Sequence, residues 1–174
     1  SEKERVVEEV RKKLEEIRRR TEEMIERVER LLDEIRRRNK ELVERNKELN
    51  KRIAEIVRDR NNKDEVKELI DRSKKSTDDV NEESRDLARK VKELVDRANK
   101  ESRRLVEEVR KEVEDLIDSE LARDIKRKLE KILEDSERLV DEIRKRIEKI
   151  KRESDETVRE SRESSRRLLE EVKR

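Results

Sequence analysis

Two stretches of this sequence set a serine hydroxyl beside a cation, Ser73-Lys74 and Ser164-Ser165-Arg166, the pairing a Ser-Lys nucleophile uses. A nucleophile also needs a positioned base and an oxyanion hole, usually made from free backbone N–H groups at a strained turn. Both stretches sit inside long helical patterns, where each N–H is already bonded to the carbonyl four residues earlier. The chain has no His and no Cys, which removes the usual general base and the commonest zinc ligands. A carboxylate site for two metals in a bundle needs inward-facing Glu, typically with Glu-x-x-His, and no acidic residue stands on the apolar seams. The expectation is a protein that is not an enzyme, with no catalytic, cofactor-binding or metal site and no cofactor.

The polar residues that do stand on the seams are Thr21, Asn39, Asn46 and Asn50, then Ser73, Thr77, Ser84 and Ser102, then Ser136, Ser154, Ser161 and Ser165. Their chemistry is hydrogen bonding. A carboxamide carries two donors and an acceptor, which two hydroxyls can answer.

The elements that position them follow from composition. Of 174 residues, 60% are charged and 28% apolar, with no Gly, Pro, Phe, Tyr or Trp. Without Gly or Pro there is no easy route to hairpins or left-handed loops. Long helices remain, and an apolar share near two in seven matches the two seam positions of a heptad. In the first third a seven-residue line runs Val7, Leu14, Thr21, Val28, Ile35, Leu42, Leu49, Ile56. Its companion line changes from Val10, Ile17, Met24, Leu31 to Ile25, Leu32, Asn39, Asn46, Ile53, so the period slightly exceeds 3.5 and the supercoil is expected to be shallow. The other two thirds repeat this behaviour, and three long amphipathic helices are the direct reading. Arg60-Asn61-Asn62-Lys63-Asp64 offers Asn for a left-handed C-terminal cap and Asp64 as the next N-cap, and Asp118-Ser119 offers a second pair of N-caps. The helices are placed at about 2–60, 64–117 and 119–174, roughly 80 Å each, in one domain covering 1–174.

Short turns impose antiparallel neighbours, so residues at one height in adjacent helices carry numbers with a constant sum. Thr21 with Ser102, Asn39 with Ser84, Asn46 with Thr77 and Asn50 with Ser73 all sum to 123. Ser102 with Ser136, Ser84 with Ser154, Thr77 with Ser161 and Ser73 with Ser165 all sum to 238. Apolar levels obey the same rule, among them Val7/Leu116/Ala122, Leu14/Val109/Leu129, Ile53/Ile70/Leu168 and Val57/Val66/Val172, with flanking triples Val43/Val80/Val158 and Ala54/Leu69/Leu169. The reading is an all-α, antiparallel up-down-up three-helix bundle whose core has four polar layers. Two mixed levels, Leu42/Asn81/Thr157 and Met24/Asn99/Leu139, extend them. A slipped register would set Asn and Ser against Leu and Val and leave them unsatisfied, so the layers fix register. The alternative is that each hydroxyl bonds the carbonyl four residues back and the layers do not communicate. Three of the four layers lie towards the 61–64 turn, and that half is expected to open more readily.

Charge excludes other partners. Lys plus Arg is 53 and Asp plus Glu is 51, a formal charge of +2, spread evenly, which gives no pull towards nucleic acid or anionic membrane. Pairs such as Glu15 with Arg19 read as a solvated surface. With no aromatic ring for base stacking and no long apolar run, the chain is expected to be soluble and to require no partner. A monomer is expected, although a helix-swapped dimer satisfies the same sums.

Idealised helix formers, Asn and Asp at the turns, no aromatics, Ser rather than Met at position 1, and level-matched Asn/Ser/Thr layers together resemble a computationally designed three-helix bundle with buried hydrogen-bond networks. That resemblance covers the whole chain and implies a scaffold made to fold, with no evolved activity. The alternative is a natural spectrin-like coiled-coil spacer that docks partners, which would usually carry a core Trp and irregular heptads, absent here.

Overall fold

The computed structural model describes residues 2–58, 63–115 and 119–173, apart from the side chains of Ser119 and Val172. The turn residues Arg60, Asn61, Asn62 and Asp118 and the level residue Leu116 lie outside these. The described residues form three helices, α1 (Glu2–Arg58), α2 (Lys63–Glu114) and α3 (Ser119–Lys173), and no strand. Strong helix formers and the absence of Gly and Pro account for runs of 57, 52 and 55 residues. Each helix has acidic residues in its first turn and a basic residue in its last, which complements the helix dipole. Asp64, expected as an N-cap, lies within the first turn of α2 instead, where its charge still meets the positive helix end.

The chain divides into two compact units. The first comprises Ser1–Arg30 with Lys90–Arg146, the second Leu31–Arg89 with Ile147–Arg174. The core of the first is apolar: Val10, Ile17, Leu105, Val106, Val109, Val113, Ile125 and Leu129 are buried together, with Val6, Leu14, Leu121, Ala122, Ile132 and Leu133 packed against them. Interhelical ion pairs edge this core, Lys13 with Glu112 and Arg20 with Glu101, and Arg146 Nη2 donates to Glu29 Oε2 at 2.9 Å.

The second unit has an apolar cluster of Ile53, Val66, Leu69 and Ile70, with Leu49, Ile56, Leu168 and Leu169 against it, further buried apolar side chains that include Leu32, Ile35, Leu42, Leu87, Ile150 and Val158, and a run of buried hydroxyls. Here Arg38 pairs with Glu83 and Arg45 with Ser76 between α1 and α2, while Thr77 meets Ser161 and Arg162 meets Asp78 between α2 and α3. Partner numbers fall along α2 as they rise along α1, and rise together along α1 and α3. Within this unit α2 therefore meets α1 in opposite chain order and α3 meets α1 in the same order.

The flank of α1 departs from expectation. Val80 and Val158 are buried, but Val43 is 37% exposed. Ala54 and Val57 are exposed too. Each follows a seam residue, Leu42, Ile53 or Ile56, by one position, which puts it at the solvent edge of the apolar stripe. Surface ion pairs also choose the other neighbour: Glu15 pairs with Arg11 at 4.0 Å and Arg19 with Glu23 at 3.9 Å. Glu15 has Arg one turn away on either side, and exposed pairs of this kind contribute little.

Candidate functional site

The polar residues of the second unit form a connected circuit centred on Asn46. Its Nδ2 donates to Ser161 Oγ, and its Oδ1 accepts from Ser73 Oγ at 3.0 Å. Ser161 and Thr77 hydroxyls meet at 2.8 Å, and Thr77 Oγ1 donates to the Ser73 carbonyl at 2.8 Å. Ser73 and Ser165 hydroxyls lie 3.5 Å apart. Each hydroxyl has one proton, which fixes every direction. The Thr77 proton goes to the Ser73 carbonyl, so Ser161 donates to Thr77. The Ser73 proton goes to Asn46, so the long contact is donated by Ser165. Three helices are thereby joined by side chains that are buried at Ser73, Thr77, Ser161 and Ser165.

This joins two levels expected to be separate. Asn46 shares a height with Thr77, yet its carbonyl takes its bond from Ser73, one turn away on α2. Thr77 reaches it through Ser161. Asn50 was expected to close a level with Ser73 and Ser165. It donates instead from Nδ2 to Ser164 Oγ at 3.0 Å, and both residues are half-buried. The only hint of Ser164 in the sequence is numerical. Asn46 and Ser161 lie 115 residues apart, as do Asn39 and Ser154, and Ser164 misses that spacing from Asn50 by a single residue.

The Asn39/Ser84/Ser154 level is partly joined: Ser154 Oγ donates to Asn39 Oδ1 at 3.3 Å, whereas Ser84 Oγ is buried without a protein partner. The Thr21/Ser102/Ser136 level, in the first unit, is not joined. Thr21 Oγ1 donates to the Ile17 carbonyl at 2.9 Å, Ser102 is buried, and Ser136 is half-buried. In the mixed levels Leu42 and Met24 are buried, and Thr157 bonds the Glu153 carbonyl at 2.9 Å. Thr21 and Thr157 thus bond their own helix, whereas the hydroxyls around Asn46 bond across helices.

The circuit has no charge to perform acid–base work. Ser73 donates its proton to Asn46, and Lys74 is exposed. Among the described residues no three His, Cys, Asp or Glu side chains gather in a way that would hold a metal ion, and no helix is long and apolar enough to cross a membrane. Shifted ionisation is confined to the flanks. A hydrogen bond to Glu112, with Glu108 beside it, holds the Lys13 ammonium above its ordinary value against the opposing effect of burial. The hydrogen bond to Glu34 does the same for Arg38, with Glu83 adding to it.

No protein-family model matches this sequence, and no curated protein is detectably similar to it. Among solved structures the chain is similar to a protein described as a computationally designed three-helix bundle, at a TM-score of 0.47 and 18% identity, over 97% of this chain and 83% of that one.

Proposed function

We propose that this chain is a designed structural scaffold without enzymatic activity: a single up-down-up antiparallel bundle over residues 1–174, monomeric, needing no cofactor or partner, whose polar layers set helix register. The Asn46 circuit carries this reading. Each of its hydroxyl protons has an acceptor, and any slip of one helix would leave buried donors and acceptors unmatched, at about 1–3 kcal/mol each. An apolar core of the same shape would have no such penalty against neighbouring registers. Residue choice supports the design origin, since turns without Gly and a core without aromatics are unusual for natural bundles, while all but two of the named levels pair like with like.

The test replaces Asn46, Thr77 and Ser161 together by Leu, Val and Ala. Stability is expected to hold or rise, because a buried polar set exchanged for apolar groups of similar volume is often neutral or better. Uniqueness is expected to fall: crosslinks between residues that do not share a level, and species beyond the monomer of about 21 kDa in light scattering. A variant that stays monodisperse with the parent's crosslinks would remove the register role.

A further inference from the structure

Ser84 is 5% exposed, and its buried Oγ meets no protein donor or acceptor. Helical hydroxyls in this position usually turn back to the carbonyl four residues earlier, as Thr21, Thr77 and Thr157 do. Ser84, with the Val80 carbonyl available, does not. Beside it lies a cavity of about 20 Å³, lined also by Ile35, Asn81, Ala88, Ile150 and Ser154. A water molecule needs at least about 10–15 Å³ of such space and two to four polar partners, so the cavity has room for one. Ile35, Ala88 and Ile150 give it apolar walls, and the charged side chains at its rim, Arg85, Lys151 and Asp155, are exposed. A bare ion would find no buried charge to balance it.

We propose that a single water molecule is bound in this cavity and completes the Asn39/Ser84/Ser154 level. Ser84 Oγ–H donates to the water. The water donates to Ser154 Oγ, whose own proton goes to Asn39 Oδ1 and whose lone pairs are therefore the ones on offer. Half-buried Asn81 supplies a further polar partner at the wall. The second unit then contains two kinds of polar joint, a direct one at Asn46 and a hydrated one at Ser84. The inference rests on the hydroxyl and the cavity alone, and stands whether or not the layers set register.

A crystal structure of the full chain at about 1.5 Å resolution tests it. The expected result is one isolated density peak within hydrogen-bond distance, about 2.6–3.2 Å, of both Ser84 Oγ and Ser154 Oγ. No peak, or Ser84 Oγ rotated onto the Val80 carbonyl, would overturn the proposal. In Ser84→Val, which fills the site and removes the donor, the peak is expected to be lost with the helices unmoved. A peak that persists there would also overturn it, because the water would then be held by something other than Ser84.

Discussion

The two units solve the same packing problem with different chemistry. The first buries Val, Leu and Ile almost throughout, and its one polar level falls apart into a Thr21 hydroxyl bonded to its own helix and two serines that do not meet it. The second also buries apolar side chains, among them Leu32, Ile35, Leu42 and Ile53, but interrupts them with a hydrogen-bonded circuit through Asn46. The difference shows what a polar core level requires. Hydroxyls alone are satisfied locally by a carbonyl one turn back, so they carry no information about the neighbouring helix. A carboxamide on the seam cannot be satisfied that way, and it draws the hydroxyls around it into bonds across helices.

The largest effects should come from apolar truncation, and they compare the two units directly. Leu129→Ala in the first unit and Ile53→Ala in the second each remove a fully buried side chain, at an expected cost of about 2–5 kcal/mol in urea denaturation. Leu129 sits in the larger cluster, where neighbours have less room to collapse into the space, so its cost should be the greater. The reverse order would break the view that the larger cluster relaxes less around a truncated side chain.

Next in size is the single change Asn46→Leu. It leaves Ser73 without its acceptor and Ser161 without its donor, a loss of about 1–3 kcal/mol. Because Ser161 and Thr77 belong to the same network, the triple apolar change should recover the Ser161 share of that loss, a non-additive result, while Ser73 lacks its acceptor in both variants. If Asn46→Leu were as stabilising as the triple variant, the circuit would not be a network at all.

Amide hydrogen exchange should then separate the units without any mutation. Backbone amides around Asn46, Thr77 and Ser161 are expected to exchange about tenfold faster than those around Leu14, Val109 and Leu129, since local opening there exposes less apolar surface. Equal or slower exchange would mean that the hydrogen-bond circuit offsets its missing apolar burial.

Much of this was legible before any coordinates. Periodicity and the lack of Gly and Pro gave the three helices, and constant sums placed Asn46, Thr77 and Ser161 near one another. The bonds themselves were not legible, for a geometric reason. A sum fixes height to within about a residue, whereas an Asn side chain can reach residues a full turn apart. Asn46 therefore takes Ser73, Asn50 takes Ser164, and Ser84 keeps no protein partner. Exposure at Val43 was hidden for a related reason: flanking positions depend on a few degrees of helix rotation that residue spacing does not encode.

The smallest expected effect contrasts the ion pairs that tie α1 to α2 in each unit. The first unit uses Lys13 against Glu112 and Glu108, the second Arg38 against Glu83. In the folded chain Lys13 titrates above its ordinary value of 10.5, chiefly through its hydrogen bond to Glu112. A cation whose pKa is raised by folding contributes its full stabilisation below the unfolded value and loses it as pH rises through the folded one. The Lys13 contribution should therefore be intact at neutral pH and fade above about pH 10.5. The Arg38 guanidinium is raised above its already high ordinary value, first by its hydrogen bond to Glu34, so it keeps its charge throughout that window. Both pairs are partly exposed, which limits each to about 0.2–1 kcal/mol. The destabilisation caused by Lys13→Gln should shrink between pH 7 and pH 11, while that caused by Arg38→Gln should not change. Comparing each variant with the parent at the same pH cancels the titration of the remaining lysines. If both differences shrank together, the alkaline loss would belong to the chain's overall charge and not to the Lys13 pair.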